Sequence, residues 1–241
     1  MCTVTFLPSQ DGFVLTHNRD EAPSRSPQMI ARVKTGAGVT LLPRDTLAGG
    51  SWIAAVQEGY TVCLLNGAFV KHVHAPPYRR SRGLVLLDFL EAPSADWFFE
   101  EYDFTGIEPF TFLYFDPDRV IELRWDGNDR FVKYLPVQQA HFWCSSTLYP
   151  ADMQERRELV FREWLKTHYT LEMNPAQLKK KILHLHHTGS VNDPENDFIM
   201  NRHGRVQTVS ITQVQVQPGK ATMAYHDLIS GQKRRQKILL C

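Results

Sequence analysis

An α+β fold of antiparallel sheets flanked by helices is what the sequence predicts, and three observations carry it. The first twenty-one residues pattern as a hairpin. The rest of the chain follows the order strands, two helices, strands, two helices, strands. The segments Trp52-Ile53-Ala54-Ala55-Val56 and Val62-Cys63-Leu64-Leu65 are apolar throughout, as in strands covered on both faces. With 241 residues and 43% apolar composition the chain can bury a sizeable core. We expect a single domain over residues 1–241, because the longest irregular run, Gly67 to Arg82, is too short and too mixed for a linker.

In the first hairpin Val4 and Phe6 alternate with threonines, Gln10-Asp11-Gly12 marks a turn, and Phe13 to Thr16 begins the return strand. Ala22 to Pro27, with two prolines and two serines, reads as a loop. Met29 to Val33 and Val39 to Leu42 are expected as short strands around Gly36-Ala37-Gly38. The apolar pair that follows turns at Gln57-Glu58-Gly59 and leaves Asn66 at a strand end. Leu84 to Leu90 is expected as a helix, and Pro93 to Phe99 as a second, with the proline in its first turn. Phe110–Phe115, Val120–Trp125, Phe131–Leu135 and His141–Ser145 read as a meander of strands.

After Pro150, one helical face carries Met153, Val160, Phe161, Trp164, Leu165 and His168, while Glu155, Arg156, Glu158, Arg162 and Glu163 take the other. Asn174-Pro175 caps and opens another helix, striped by Leu178, Ile182 and Leu185 and ending near Gly189. Thr188 to Asn201 is a polar loop. Val206–Val216, Ala221–Tyr225 and Lys237–Leu240 complete the strands.

The net charge of +1 supplies no field for nucleic acid or anionic membrane, so no nucleic-acid partner is expected. Cys2, Cys63, Cys144 and Cys241 lack the paired spacing of zinc sites or disulfide frameworks. Polar residues interrupt the first twenty positions, and no segment has the length of a membrane span. A cytoplasmic protein without an integral membrane segment is expected. The oligomeric state is not legible. His72-Val73-His74 and His184-Leu185-His186-His187 invite a metal or haem reading, but no carboxylate or cysteine stands near them at ligand spacing; solvated histidines are the expectation. Arg79, Arg80 and Arg82 are candidates to receive an anionic group. Lys179–Lys181 and Lys233–Lys237 read as exposed basic faces, and the five tryptophans as core.

The residue types that carry chemistry lie in the hairpin. A thiol at Cys2 is brought near His17-Asn18-Arg19-Asp20 by the turn. If Met1 is trimmed, the Cys2 α-amine (pKa about 7.7–8.0) can take the proton of its own thiol (about 8.5). Asp20 would orient the ammonium form and raise its pKa. The competing readings are a buried strand cysteine with Met1 retained, and a solvated Asp20 paired with Arg19 or Arg25.

Met1-Cys2, Asn18-Arg19-Asp20-Glu21 with Ser24-Arg25, Gly49-Gly50-Ser51-Trp52, Leu65-Asn66 and Ser81-Arg82-Gly83 together resemble the NRDE family, which includes the transport and Golgi organisation proteins. Ser145-Ser146-Thr147-Leu148 and the Thr208–Thr212 segment match more loosely. The family is similar to N-terminal nucleophile hydrolases of the choloylglycine hydrolase and penicillin acylase type. That resemblance implies a four-layer αββα sandwich, with Cys2 as nucleophile, Asp20 as the aspartate of the Asn-x-Asp motif, and Asn66 as an oxyanion donor. His17 stands where those hydrolases have an arginine, and Ser146 where they have a later asparagine. His17, Asn18, Arg19, Arg82 and Ser146 are candidate substrate-binding or supporting residues.

The resulting expectation is hydrolysis of a non-peptide linear carbon–nitrogen amide, with a small-molecule substrate, no cofactor and no metal. The alternative is a non-catalytic binding or trafficking protein for haem or another hydrophobic ligand.

Overall fold

The computed structural model describes residues 2–25 and 29–241. Met1 and the Ser26-Pro27 end of the expected loop lie outside the described residues. Two seven-stranded antiparallel sheets face each other, with helices on both outer sides. The first sheet contains β1 (Cys2–Ser9), β2 (Gly12–Glu21), β10 (His141–Cys144), β12 (Val206–Gln217), β13 (Lys220–Asp227) and β14 (Lys233–Leu239), in the order β10-β1-β2-β12-β13-β14, with the two-residue β11 (Asn201–Arg202) paired to β12. The second runs β3-β4-β5-β6-β7-β8-β9 in chain order, from β3 (Ile30–Thr35), β4 (Gly38–Pro43), β5 (Ile53–Val56) and β6 (Thr61–Asn66) to β7 (Phe110–Phe115), β8 (Val120–Trp125) and β9 (Arg130–Leu135).

The expected meander therefore stops at β9. His141–Cys144 crosses to the other sheet and pairs with β1, Thr3 opposite Cys144 and Phe6 opposite His141. That crossing brings the segment after Cys144 back to the start of the chain.

Period-two patterning separates the layers. Val4, Phe6, Phe13 and Leu15 point between the sheets and meet Leu41, Ala55, Leu65, Leu113 and Phe115. Leu7 and Val14 point the other way, onto Phe161 and Trp164 of α3 (Ala151–His168) and Leu178, Ile182 and Leu185 of α4 (Pro175–Thr188). The outer face of the second sheet is covered by α1 (Arg82–Leu90) and α2 (Ala95–Glu100), through a phenylalanine-rich cluster around Phe89, Phe98 and Phe112. This is the αββα sandwich.

Helix ends follow local chemistry. Asn174 accepts the Ala176 N–H at 2.8 Å ahead of Pro175. Ser94 accepts the Trp97 N–H at 3.1 Å, so Pro93 precedes the cap rather than sitting in the first turn. Among the described residues no helix is long and apolar enough to cross a membrane.

Candidate active site

Cys2 opens β1 opposite Arg19, on the face that points between the sheets. There it borders a cleft of about 430 Å³ whose lining includes Arg19, Glu21, Arg25, Asp45, Gly50, Ser51, Trp52, Asn66, Ser81, Arg82 and Glu108. Every family-like motif of the first ninety residues thus contributes to one cleft.

Two of these motifs meet because they are glycine-rich. A Cβ on Gly50 would lie 2.5 Å from the Gly83 carbonyl carbon, and the Ser51 N–H donates to Gly83 O at 3.0 Å. Only glycine permits that backbone approach. Trp52 is then held under the Arg19 guanidinium, 4.2 Å from ring centroid to cation. Trp52 is core, as expected, and it also borders the cleft. Trp97 departs from the core reading, being exposed.

The cations of the cleft are tied internally. Arg19 pairs with Asp45 at 2.6 Å and donates to Arg25 O. Arg25 pairs with Glu21 and Asp45, each at 2.7 Å. Asp45 also accepts the Leu47 and Ala48 N–H groups, and these bonds together hold its carboxyl below the usual range against the opposing effect of burial. Arg82 pairs with Glu108 at 2.9 Å and donates to Pro109 O. Arg80 is engaged by Asp88, and Arg79 by the carbonyls of Asp103 and Thr105. The three loop arginines thus already have protein partners.

Burial pushes the Cys2 thiol above its ordinary pKa, with Asp20 adding to the shift and Arg19 opposing it. The thiol is neutral until a base takes its proton. Asn66 ends β6 as expected; its carbonyl accepts from Ser145 Oγ at 2.5 Å, and its side-chain amide bonds no described residue. Ser145 N donates to Cys2 O at 3.0 Å. Ser145 therefore bridges the two strand ends, a role the sequence did not reveal. Ser146 does not line the cleft; its Oγ reaches Val70 O at 3.4 Å.

Ser146 also bears on Gly67, whose φ is +84° and whose hypothetical Cβ would fall 2.3 Å from Ser146 Oγ and 3.1 Å from Thr147 N. Gly67→Ala is expected to cost about 2–3 kcal/mol through backbone strain and overpacking. A urea midpoint unchanged from wild type would contradict this.

Asp20 occupies the opposite face of β2 from Arg19. It is fully buried, accepting Tyr149 Oη at 2.9 Å and Thr208 Oγ1 at 2.7 Å. This corrects the solvated-turn alternative: Arg19 and Arg25 pair elsewhere. Burial raises the Asp20 pKa, while Arg157 and both hydroxyls oppose that. Arg157, on α3, was missed because it sits in a charged run that reads as a polar face. It is wholly buried, donates to Thr3 Oγ1 at 2.5 Å and to the carbonyls of Asn196 and Asp197, and covers the Tyr149 ring.

Asn18 faces the same layer. Its Nδ2 donates to the carbonyls of His186 and Phe198, and its Oδ1 meets His186 Nδ1 at 2.7 Å. His186 is thus a buried polar anchor rather than a solvated histidine. His17 points between the sheets, fully buried, with both ring nitrogens unpartnered among the described residues. Desolvation lowers its pKa well below the usual value. The pair His72 and His74 is also not free of carboxylates: both meet Glu108, at 2.9 and 3.3 Å. The partner lies 36 and 34 residues away, respectively, which spacing in sequence conceals. No group of three or more His, Cys, Asp or Glu side chains among the described residues is arranged to hold a metal ion.

Two facing antiparallel sheets between helix layers make an αββα sandwich, with Cys2 on its first strand beside the cleft. A Caenorhabditis elegans N-acylethanolamine-hydrolyzing acid amidase ortholog is similar, with TM-score 0.59 and 13% identity over 88% of this chain and 92% of that one. A conjugated bile acid hydrolase from Clostridium perfringens is similar in two forms, a cysteine-to-alanine mutant and an arginine-to-leucine variant. Each gives TM-score 0.57 and 10% identity over 99% of this chain, covering 92% and 96% of the respective hydrolase chains. At such identities the likeness establishes the fold. The chain belongs to the Transport and Golgi organisation 2 family, whose model matches residues 1–232. Comparison of the sequence with curated proteins finds no match.

Proposed function

We propose that this protein is an N-terminal-cysteine amidohydrolase acting on a small, non-peptide linear amide. The observation that carries the reading is the placement of Cys2 and Asn66 on one cleft, joined through Ser145. In this reading, processing removes the residue before Cys2. The freed amine takes the thiol proton, and the sulfur attacks the amide carbonyl carbon. A carbon–sulfur bond forms, and the carbonyl oxygen becomes an oxyanion held by the Asn66 side-chain amide and a main-chain N–H. Collapse breaks the carbon–nitrogen bond, the ammonium returns its proton to the departing amine, and water hydrolyses the thioester.

Asp20 orients the amine. Support for this role is that Asp20 follows Arg19, the strand partner of Cys2, and acts electrostatically on the Cys2 thiol. Arg82, anchored by Glu108, and Arg19, stacked on Trp52, shape the wall. With Ser146 turned away, a second side-chain donor is missing. Loss of such a donor costs about 3 kcal/mol of transition-state stabilisation, so turnover is expected to be slow.

Intact-mass analysis of the active protein, combined with a β-lactone probe, tests the reading. Label is expected on Cys2 of a chain lacking Met1; active protein retaining Met1 would sink the amine-as-base step. Cys2→Ala is expected to keep the fold and lower amide hydrolysis by about 10³-fold or more. Hydrolysis surviving that substitution would remove Cys2 from the chemistry.

A further inference from the structure

Away from the cleft, α4 leaves part of its sheet uncovered. The helix packs mainly on β2 and β12 and reaches β13 through His187, whose ring lies 5.4 Å from that of His226, while the outer-face residues Lys233 and Arg235 of β14 are exposed beside it. A hollow of about 290 Å³ lies between them. One flank of α4 supplies Lys179, Leu183 and His187, each four residues after the last, so they stack on one line of the helix. Across the hollow, Ala224 pairs with Arg235 and His226 with Lys233 in the β13–β14 register. Ile211 and Gln213 of β12 complete the floor, where Gln213 is pinned by bonds to Thr16 and the Lys179 carbonyl.

The described lining contains no carboxylate. None of Lys179, Lys233, Arg234 or Arg235 forms an ion pair among the described residues. Elsewhere most arginines at cavities are paired, as in the cleft. The like charges also act on one another: burial and then Arg235 lower the Lys179 pKa, while burial and then Lys233 lower those of His187 and His226. Asp227, which opposes the shift of His226, accepts the Ile229 and Ser230 N–H groups. Lysines on an edge strand discourage edge-to-edge pairing, which accounts for β14 alone. Lys179 and His187 on a helix, and His226 on an inner strand, face the same hollow without that purpose.

We infer that this hollow binds a small amphiphilic phosphate monoester, its dianionic head among Lys179, Lys233 and Arg235 and its apolar group on Leu183, Ile211 and Ala224. A doubly charged head suits several convergent cations. A hollow of about 290 Å³ suits a short tail.

Calorimetric titration of the full chain with hexyl phosphate tests this, with inorganic phosphate and hexanol as the head-only and tail-only arms. Hexyl phosphate is expected to bind best, and Lys179→Gln with Arg235→Gln to weaken it by about tenfold or more. Both substitutions are also expected to leave thermal stability equal or higher, since they relieve repulsion; that readout separates lost binding from lost fold. Absence of hexyl phosphate binding, or binding unaffected by the two substitutions, overturns the site. Inorganic phosphate binding equally well overturns the role of the apolar floor. Co-sedimentation with phosphatidate-containing vesicles, in the absence of hexyl phosphate binding, overturns the small-ligand assignment.

Discussion

Arg157→Met is expected to destabilise the protein by about 3–5 kcal/mol, because it leaves three buried acceptors without their donor and removes a cation that favours the buried Asp20 carboxylate. Arg157 is wholly enclosed between α3 and the first sheet, sandwiched by Tyr149 and Phe198 at 4.1 and 4.8 Å. Its loss frees Thr3 Oγ1 and two loop carbonyls, and it removes the cation that most opposes the burial-raised pKa of Asp20. The sign of the pH effect follows. A carboxyl whose folded pKa is raised contributes stability fully present below its unfolded pKa of 3.8 and lost as pH rises through the folded value. Without Arg157 the folded value rises further, so the gap between variant and wild type should be widest near neutrality and narrow in acid. Adding Asp20→Asn should recover part of the loss at pH 7. Urea denaturation of the four proteins in this cycle measures it; a gap independent of pH would show that packing and hydrogen bonding alone, and not the effect of Arg157 on Asp20, are at stake.

The contrast between Arg157 and Cys2 shows what the sequence makes legible. Cys2, Arg19, Asn66 and Arg82 belong to short motifs whose residue types already state a chemistry, and the αββα layering follows from periodicity together with the family resemblance. All four line the cleft. Arg157 carries no such mark. It lies one residue from Arg156 in a run alternating acid and base, and its partner Thr3 is 154 positions away. Helical periodicity reports the apolar stripe and says nothing of a cation admitted into it by a distant strand. His186 hides for the same reason, 168 residues from Asn18 and flanked by the exposed His184 and the half-buried His187. Thr3 and Thr5 look like the polar half of an alternating strand, yet they form an internal polar row that receives Arg157 and His186. Hydrophobic alternation identifies two faces correctly; it does not tell that a second protein layer, instead of water, covers the polar one.

That internal row is expected to make the fold acid-labile, mainly through His186. Asn18 spends both amide hydrogens on the carbonyls of His186 and Phe198, so its Oδ1 is an acceptor and His186 Nδ1 must carry the hydrogen. Nε2 is then the acceptor for the Thr5 hydroxyl at 2.8 Å. Every hydrogen-bonding position of the neutral ring is used, and a second proton would have to displace the Thr5 hydrogen. Burial, reinforced by the charges of Arg157 and His187, lowers the folded pKa of His186 from 6.5 to about 3. A depressed folded value means that stability is present above pH 6.5 and drains as pH falls towards 3, at about 1.4 kcal/mol per unit. From pH 6.5 to 4.5 this histidine alone should cost about 2 kcal/mol. His17, lowered in the same direction, adds to the loss, while Asp20, with its raised pKa, opposes it. His186→Gln replaces the titrating ring with an amide that cannot gain the proton. The variant should be less stable at pH 7, where two buried hydrogen bonds are disturbed, yet lose about 2 kcal/mol less than wild type over that interval. An acid slope unchanged by the substitution would move the source of the lability away from His186.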